Sequence, residues 1–195
     1  MRYEVDDGVA VVTLHRPERG NAWTGRMEVE YRTALREAEH DDAVGAIVIT
    51  GAGRSFCVGA DTRALDGMVD SGEYDSGVRQ PLPAVGDPAD PVSATRHAFL
   101  LALGKPVIAA VNGGVAGVGF ALMCCTDIRF AAAGAKITTS FAKLGLPAEH
   151  GSSWLLSRLV GAGRATELLL SSRILLAEEA ATMGLVSAVY PADEL

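Results

Sequence analysis

The chain has 195 residues, 49% of them hydrophobic, enough for one ordinary globular domain that buries about 70% of its unfolded surface. Its formal charge of −7 argues against a nucleic-acid surface, and no Lys or Arg cluster offsets it. Cys57, Cys124 and Cys125 are odd in number and lack C-x-x-C spacing, the N-terminus is acidic rather than a basic leader, and no apolar run approaches a membrane span. These features lead us to expect reduced, mostly buried thiols in a cytoplasmic protein, with neither nucleic acid nor membrane as partner. In chain order, Tyr3–Val5 and Val9–Leu14 flank Asp6-Asp7-Gly8 and predict a hairpin. Trp23, Met27, Tyr31, Ala34, Leu35 and Ala38 recur at helical spacing up to His40. Val44–Thr50 predicts a buried strand that runs into a glycine-bearing loop, Gly51 to Asp61.

From Asp70 to Pro91 the chain is rich in Gly, Pro, Asp and Ser without periodicity, and reads as a surface excursion able to act as a lid. Val92–Leu103 predicts a helix. Ile128–Ala133 and Lys136–Thr139 predict short strands; Trp154–Val160, Arg164–Leu170 and Ala177–Met183 predict helices; Leu185–Tyr190 predicts the last strand. Strands followed by helices, with buried strands and glycine loops, favour an α/β layered fold with helices outside the sheets.

Lys105–Asp127 is the most informative stretch. The β-branched run Val107–Val111 meets Asn112-Gly113-Gly114, and Gly117 and Gly119 then open a second apolar run, so the pattern is strand, tight loop, buried helix. Backbone N–H groups in such a loop can hold an anion, or an oxygen becoming one; equally, the glycines can serve a tight turn packed on neighbouring backbone. Several other sites are excluded by pattern. Gly114, Gly117 and Gly119 give G-x-x-G-x-G, not the G-x-G-x-x-G of a dinucleotide site, and neither a Gly-Lys-Ser/Thr ending nor a G-x-S-x-G elbow is present. His15, His40, His97 and His150 lack metal-ligand spacing, and the first three read as surface or loop residues. In Leu144–Trp154, Glu149 lies among Leu144, Leu146, Pro147 and Trp154, where partial burial would raise its pKa toward a range useful for proton transfer. It can also be read as a turn carboxylate preceding a helix, with His150 either tuning it or facing solvent.

Phe56-Cys57-Val58-Gly59-Ala60-Asp61, and Lys105 to Gly113 with Gly117-Val118-Gly119 and Asp127, resemble the two signature blocks of the crotonase (enoyl-CoA hydratase/isomerase) superfamily. His15-Arg16-Pro17-Glu18-Arg19-Gly20-Asn21-Ala22 is similar to that family's N-terminal block, and the likeness runs in order from about Val9 to Leu195. The resemblance implies a single domain over residues 1–195 with a spiral of ββα units. It also implies a homotrimer or dimer of trimers, and acyl-coenzyme A thioesters as substrates, with coenzyme A arriving as part of the substrate and no permanently bound cofactor or metal. It places the backbone N–H groups of Ala60 and Val118 in an oxyanion hole. Coenzyme A contacts would fall near Ala22, Val58, Ala60, Asp61 and Thr62, with Arg16 or Arg19 as candidate phosphate partners; Gly117, Phe141, Leu144 and Gly145 complete the substrate-binding set. The family continues into C-terminal helices beyond the point where this sequence ends, so a shortened C-terminal helical segment is expected.

Departures from the family pattern bear on the reaction. The two positions where the best-known hydratases carry Glu are Ala121 and Phe141 here. Glu149 instead resembles, by position, the single Asp or Glu of several enoyl-CoA isomerases, including the ring-modifying isomerases of phenylacetate breakdown. The favoured expectation is therefore an isomerase that shifts a double bond with Glu149 as proton shuttle. A hydratase pairing Glu149 with Asp61 or a residue of the 70–91 loop is the alternative enzyme; a non-catalytic acyl-CoA-binding or assembly protein is the alternative of another class.

Overall fold

Asp7 and Gly8 take left-handed backbone, with φ 44° and 78°, and this sharp turn folds Arg2–Asp6 (β1) antiparallel onto Val9–Leu14 (β2). The computed structural model describes residues 1–61, 82–86 and 89–195. Thr62 and most of the 70–91 excursion, including its reading as a lid, lie outside the described residues. Beyond the hairpin, β2 pairs in parallel with Ala46–Gly51 (β3), β3 with Val107–Val111 (β5), β5 with Ile128–Ala132 (β7), and β7 with Ala188–Tyr190 (β10). A second sheet has the order β4-β6-β8-β9, built from Ser55–Cys57, Gly114–Ala116, Lys136–Thr138 and Leu175–Leu176.

Successive strands thus alternate between the sheets: β3 then β4, β5 then β6, β7 then β8. Each turn of the chain adds one strand to each sheet, which is a spiral of strand pairs. Helix α1 (Gly25–His40) is capped by the Thr24 side chain, which accepts the Met27 N–H. It buries Met27, Tyr31, Ala34, Leu35 and Ala38 against the core, as the spacing predicts. The remaining helices are α2 (Val118–Cys124), α3 (Ser152–Val160), α4 (Ala162–Ser171) and α5 (Ala177–Thr182). None of the described helices is long and apolar enough to cross a membrane. The cysteines are reduced and buried, and burial pushes the Cys57 and Cys125 thiols up to about 12.

Three elements differ from expectation. Val92–Leu103 is not one helix but two short 3-10 turns, Pro91–Ala94 and Ala98–Ala102. The break has a cause in α1: the Arg32 guanidinium takes the carbonyls of Thr95 at 2.5 Å and Arg96 at 3.3 Å, which a continuous helix would need for its own ladder. The last strand is Ala188–Tyr190 only, because Leu185 instead donates its N–H to Ala180 and accepts from Arg129 Nε. The short strands β4, β6 and β9 lie in stretches read as loop or as a gap between helices.

Arg32 is itself held by Glu28, Nε to Oε1 at 2.9 Å, and the other Glu28 oxygen accepts Trp23 Nε1 at 2.9 Å; both charged side chains are buried. Buried pairs of this kind are costly to break, because the surviving charge stays desolvated. Arg32→Met is therefore expected to lower unfolding free energy by about 3–5 kcal/mol in urea titrations. A loss below about 1 kcal/mol would mean that the pair does not hold the backbone of Thr95 and Arg96 to α1.

Candidate active site

Glycine at 119 decides how closely the two glycine loops meet. A Cβ there would lie 2.2 Å from the carbonyl oxygen of Cys57 and 2.7 Å from its Cβ, so α2 can sit on β4 only without a side chain. Gly117 is equally constrained: its φ of 52° and ψ of −119° suit glycine, and a Cβ there would be 3.6 Å from the Gly59 Cα. Parallel pairing of Ser55 with Gly114 and Cys57 with Val115 brings the loops together, and this is the convergence expected from sequence.

Two N–H groups remain free at that junction. Trp23 forms a parallel bridge with Ala60, donating its N–H to Gly59 O at 2.8 Å and accepting the Asp61 N–H at 2.9 Å. Such a bridge uses the residues on either side of Ala60, so the Ala60 N–H points to the opposite edge, toward the Gly117 loop. Gly117 donates to Thr139 O at 3.2 Å, which leaves Val118, the first residue of α2, with its N–H unused. Among the described residues neither N–H meets a protein acceptor.

Polar side chains fasten the frame around this junction. Buried Asn21, at φ 57°, accepts the Arg16 N–H and donates to the carbonyls of Ala52 and Ser55 at 2.9 and 2.7 Å. Asn112 accepts the Gly51 N–H and donates to Gly53 O. Asp127 accepts the Val107 N–H at 2.8 Å. Asn112 reads as a turn residue and Asn21 as part of the N-terminal block; their role as clips between loops depends on pairing across about thirty and sixty positions, which no local pattern displays.

The candidate residues fall into groups. Ala22, Val58, Asp61 and Arg16 lie beside Ala60, but the Arg16 guanidinium is committed inward, to Asp61 Oδ2 at 2.8 Å and Ala22 O at 2.6 Å. Arg19 is exposed on the neighbouring 3-10 turn Pro17–Arg19. Ala121 and Phe141 are buried. Leu144 is exposed and Gly145, at φ 69°, closes the turn Ala142–Leu144. That turn is tied to the end of α4, where Ala142 N–H donates to Ser172 Oγ.

Glu149 is exposed, contrary to the burial expected among Leu144, Leu146, Pro147 and Trp154. The apolar neighbours do not cover it, because Leu144 and Trp154 are themselves 62% and 57% exposed and Trp154 stacks under the Arg158 guanidinium. His150 and Gly151, at φ 53° and 77°, turn the chain sharply into α3, and the Glu149 carbonyl accepts from Ser152 N–H and Oγ–H. Helix α3, which follows the Glu149 turn, packs on α2.

His97 was read as a surface or loop residue and is instead fully buried. Its ring meets Trp23 edge-on, with centroids 5.0 Å apart, and meets His150 at 5.3 Å. Neither ring nitrogen has a hydrogen-bond partner among the described residues. Burial holds its pKa well below the ordinary histidine value, with His150, Arg96 and Arg32 acting in the same direction; His150 is lowered too, by its own burial.

The chain matches the family model described as enoyl-CoA hydratase/isomerase over residues 4–195. The Mycobacterium tuberculosis protein named "probable enoyl-CoA hydratase EchA14" is 38% identical over 193 residues, covering 97% of this chain and 68% of that protein. The Escherichia coli 1,2-epoxyphenylacetyl-CoA isomerase is 38% identical over 191 residues, covering 98% of this chain and 70% of the isomerase. Among solved structures, the enoyl-CoA hydratase EchA12_1 of Mycobacterium marinum superposes with a TM-score of 0.77 at 39% identity, covering 100% of this chain and 81% of that one. The fold and the paired glycine loops define a crotonase-type protein. This chain belongs to the enoyl-CoA hydratase/isomerase family.

Two tests follow from the geometry. Gly119→Ala forces Cys57 and α2 apart and is expected to destabilise by at least about 1–3 kcal/mol, measured by chemical denaturation. An unchanged midpoint would contradict the close contact. The second concerns pH: folded His97 binds its proton more weakly than the unfolded chain, so below about pH 6.5 the unfolded state takes up more protons and stability falls with pH. Its slope contribution reaches about 1.4 kcal/mol per pH unit, and His97→Phe is expected to remove it from the pH 5–7 limb. An identical pH slope in wild type and variant would show that His97 is not held neutral by the fold.

Proposed function

We propose that this protein is an enoyl-CoA isomerase in which the N–H groups of Ala60 and Val118 stabilise a thioester enolate oxygen while Glu149 moves the proton. The observation that carries this reading is the pair of unoccupied N–H groups at the glycine junction, with Glu149 on the neighbouring turn and no carboxylate at positions 121 and 141. An allylic shift needs one base. Glu149 removes a proton from C2 of a 3-enoyl thioester, the electron pair moves onto the thioester oxygen, and the dienolate is held by the two N–H groups. The protonated carboxyl then returns the proton at C4, leaving the double bond between C2 and C3. Glu149 is open to solvent in the free chain, so bound substrate itself supplies the exclusion of water.

Water addition by two carboxylates has less support, because Asp61, one alternative partner for Glu149, is paired with Arg16. The hydratase reading keeps support from relatives named as hydratases, and the Escherichia coli relative's name gives the isomerase reading its precedent. Coenzyme A enters as part of the substrate, with Arg19 available for its phosphates. Exposed Leu144, Trp154, Leu170 and Ile174 support assembly of copies into a homotrimer.

Glu149→Gln is expected to abolish conversion of 3-enoyl to 2-enoyl-CoA while leaving the acyl-CoA dissociation constant within about twofold. Undiminished turnover would end the proposal, and a 3-hydroxyacyl product from wild type would establish the hydratase instead. Val118→Pro deletes one donor at a helix position that tolerates proline, and is expected to cost about 10²–10³ in kcat. Normal catalysis by that variant would remove Val118 from the hole.

A further inference from the structure

His97 poses a problem that the proton shuttle does not use. It is fully buried, its pKa is depressed so that the ring is neutral at pH 7, and a neutral imidazole carries one N–H donor and one bare acceptor nitrogen. Both nitrogens lack partners among the described residues, and its two ring neighbours meet it edge-on without a hydrogen bond. A phenylalanine would fill a similar space without stranding polar atoms, so a histidine kept there calls for something that enters and pairs with it.

Its surroundings indicate what enters. On one side is Trp23, whose backbone is laced to Gly59 and Asp61 on either side of the Ala60 N–H. On the other is half-buried His150, the residue after Glu149. Trp23, His97 and His150 thus form a row of ring contacts that starts at the residue bridged to Ala60 and ends at the residue after Glu149. A thioester with its oxygen at Ala60 and its reacting carbons at Glu149 lays its acyl group along that row.

We propose that His97 is a hydrogen-bonding subsite for the acyl group, selecting acyl thioesters that carry a hydroxyl or carbonyl oxygen beyond the reacting carbons. This inference rests on the acyl-CoA reading above and on Ala60 and Glu149 marking the thioester oxygen and the reacting carbons, but not on whether the double bond is shifted or hydrated. It assigns His97 to recognition, with Glu149 remaining the proton carrier.

Binding of two saturated acyl-CoA ligands with one carbon skeleton, one bearing a distal hydroxyl and one plain, tests it by titration calorimetry on the full chain. Wild type is expected to bind the hydroxyacyl ligand about tenfold or more tightly, from one buried polar pairing. His97→Phe is expected to bring that ratio to about one while the plain ligand's affinity stays within about threefold, and His97→Gln, which keeps a donor and an acceptor, to retain part of the preference. Equal wild-type affinities, a ratio unchanged in His97→Phe, or equal weakening of both ligands would overturn the subsite; a nitrogen that meets only an ordered water gives the first of these results. If His97→Phe fails to fold, the ratio in His97→Gln decides, and full loss of it with both ligands weakened alike counts against the proposal. Saturated ligands cannot isomerise, so failure of the isomerase reading leaves this result standing, whereas absence of any acyl-CoA binding would instead refute the acyl-CoA reading.

Discussion

Everything at the candidate site depends on the contact between the Gly119 backbone and the Cys57 carbonyl. No side chain fits between them, and that absence allows the helix after β6 to lie directly against β4. The contact joins two loops separated by some sixty residues, at whose junction the Ala60 and Val118 N–H groups meet no acceptor among the described residues. Val118 is buried and Ala60 half-buried, and these two backbone donors without acceptors among the described residues are the feature on which the proposed oxyanion hole rests. Because the donors are backbone atoms, their positions follow from the fold rather than from rotamers, and little reorganisation accompanies the build-up of negative charge.

Charged side chains near this junction are mostly spent on architecture. Arg16 holds Asp61, Glu28 holds Arg32 and Trp23, and Arg32 fastens the backbone of Thr95 and Arg96 to α1. The arrangement separates duties: ion pairs and asparagine clips fix the backbone, while Glu149 stays outside these networks, exposed on a turn made rigid by two successive left-handed residues. His97 belongs to neither group. Its buried, unpartnered ring reduces stability where an apolar residue would not, which is the pattern expected when a residue serves recognition.

Much of the fold was legible because it is local. The Asp7-Gly8 turn, the buried face of α1, the β-branched runs of β3 and β5 and the glycine spacing before α2 all carry their structure in neighbouring residues. The three-residue strands β4 and β6 were not legible, since so few residues carry no periodicity and their pairing is set by the partner loop. The break between the 3-10 turns at 91–102 arises from Arg32, some sixty residues earlier, and an isolated segment cannot reveal it. Glu149 misled in the opposite way: apolar letters surround it, yet Leu144 and Trp154 face outward, so hydrophobic neighbours in sequence did not become a hydrophobic environment. The pairing of Arg16 with Asp61 spans 45 positions and has no local signature, and His97 looked like a loop residue because burial against Trp23 leaves no local mark.

The central claim is that the glycine junction polarises a thioester carbonyl through two backbone N–H groups, and infrared difference spectroscopy tests it independently of turnover. A saturated acyl-CoA labelled with carbon-13 at the thioester carbonyl is bound to wild type and to Val118→Pro. The expected result is a carbonyl band displaced to lower frequency on binding to wild type, with a clearly smaller displacement in the variant, as fits loss of one of two donors. A bound thioester whose band stays at its solution frequency, or is displaced equally in both proteins, would contradict the claim.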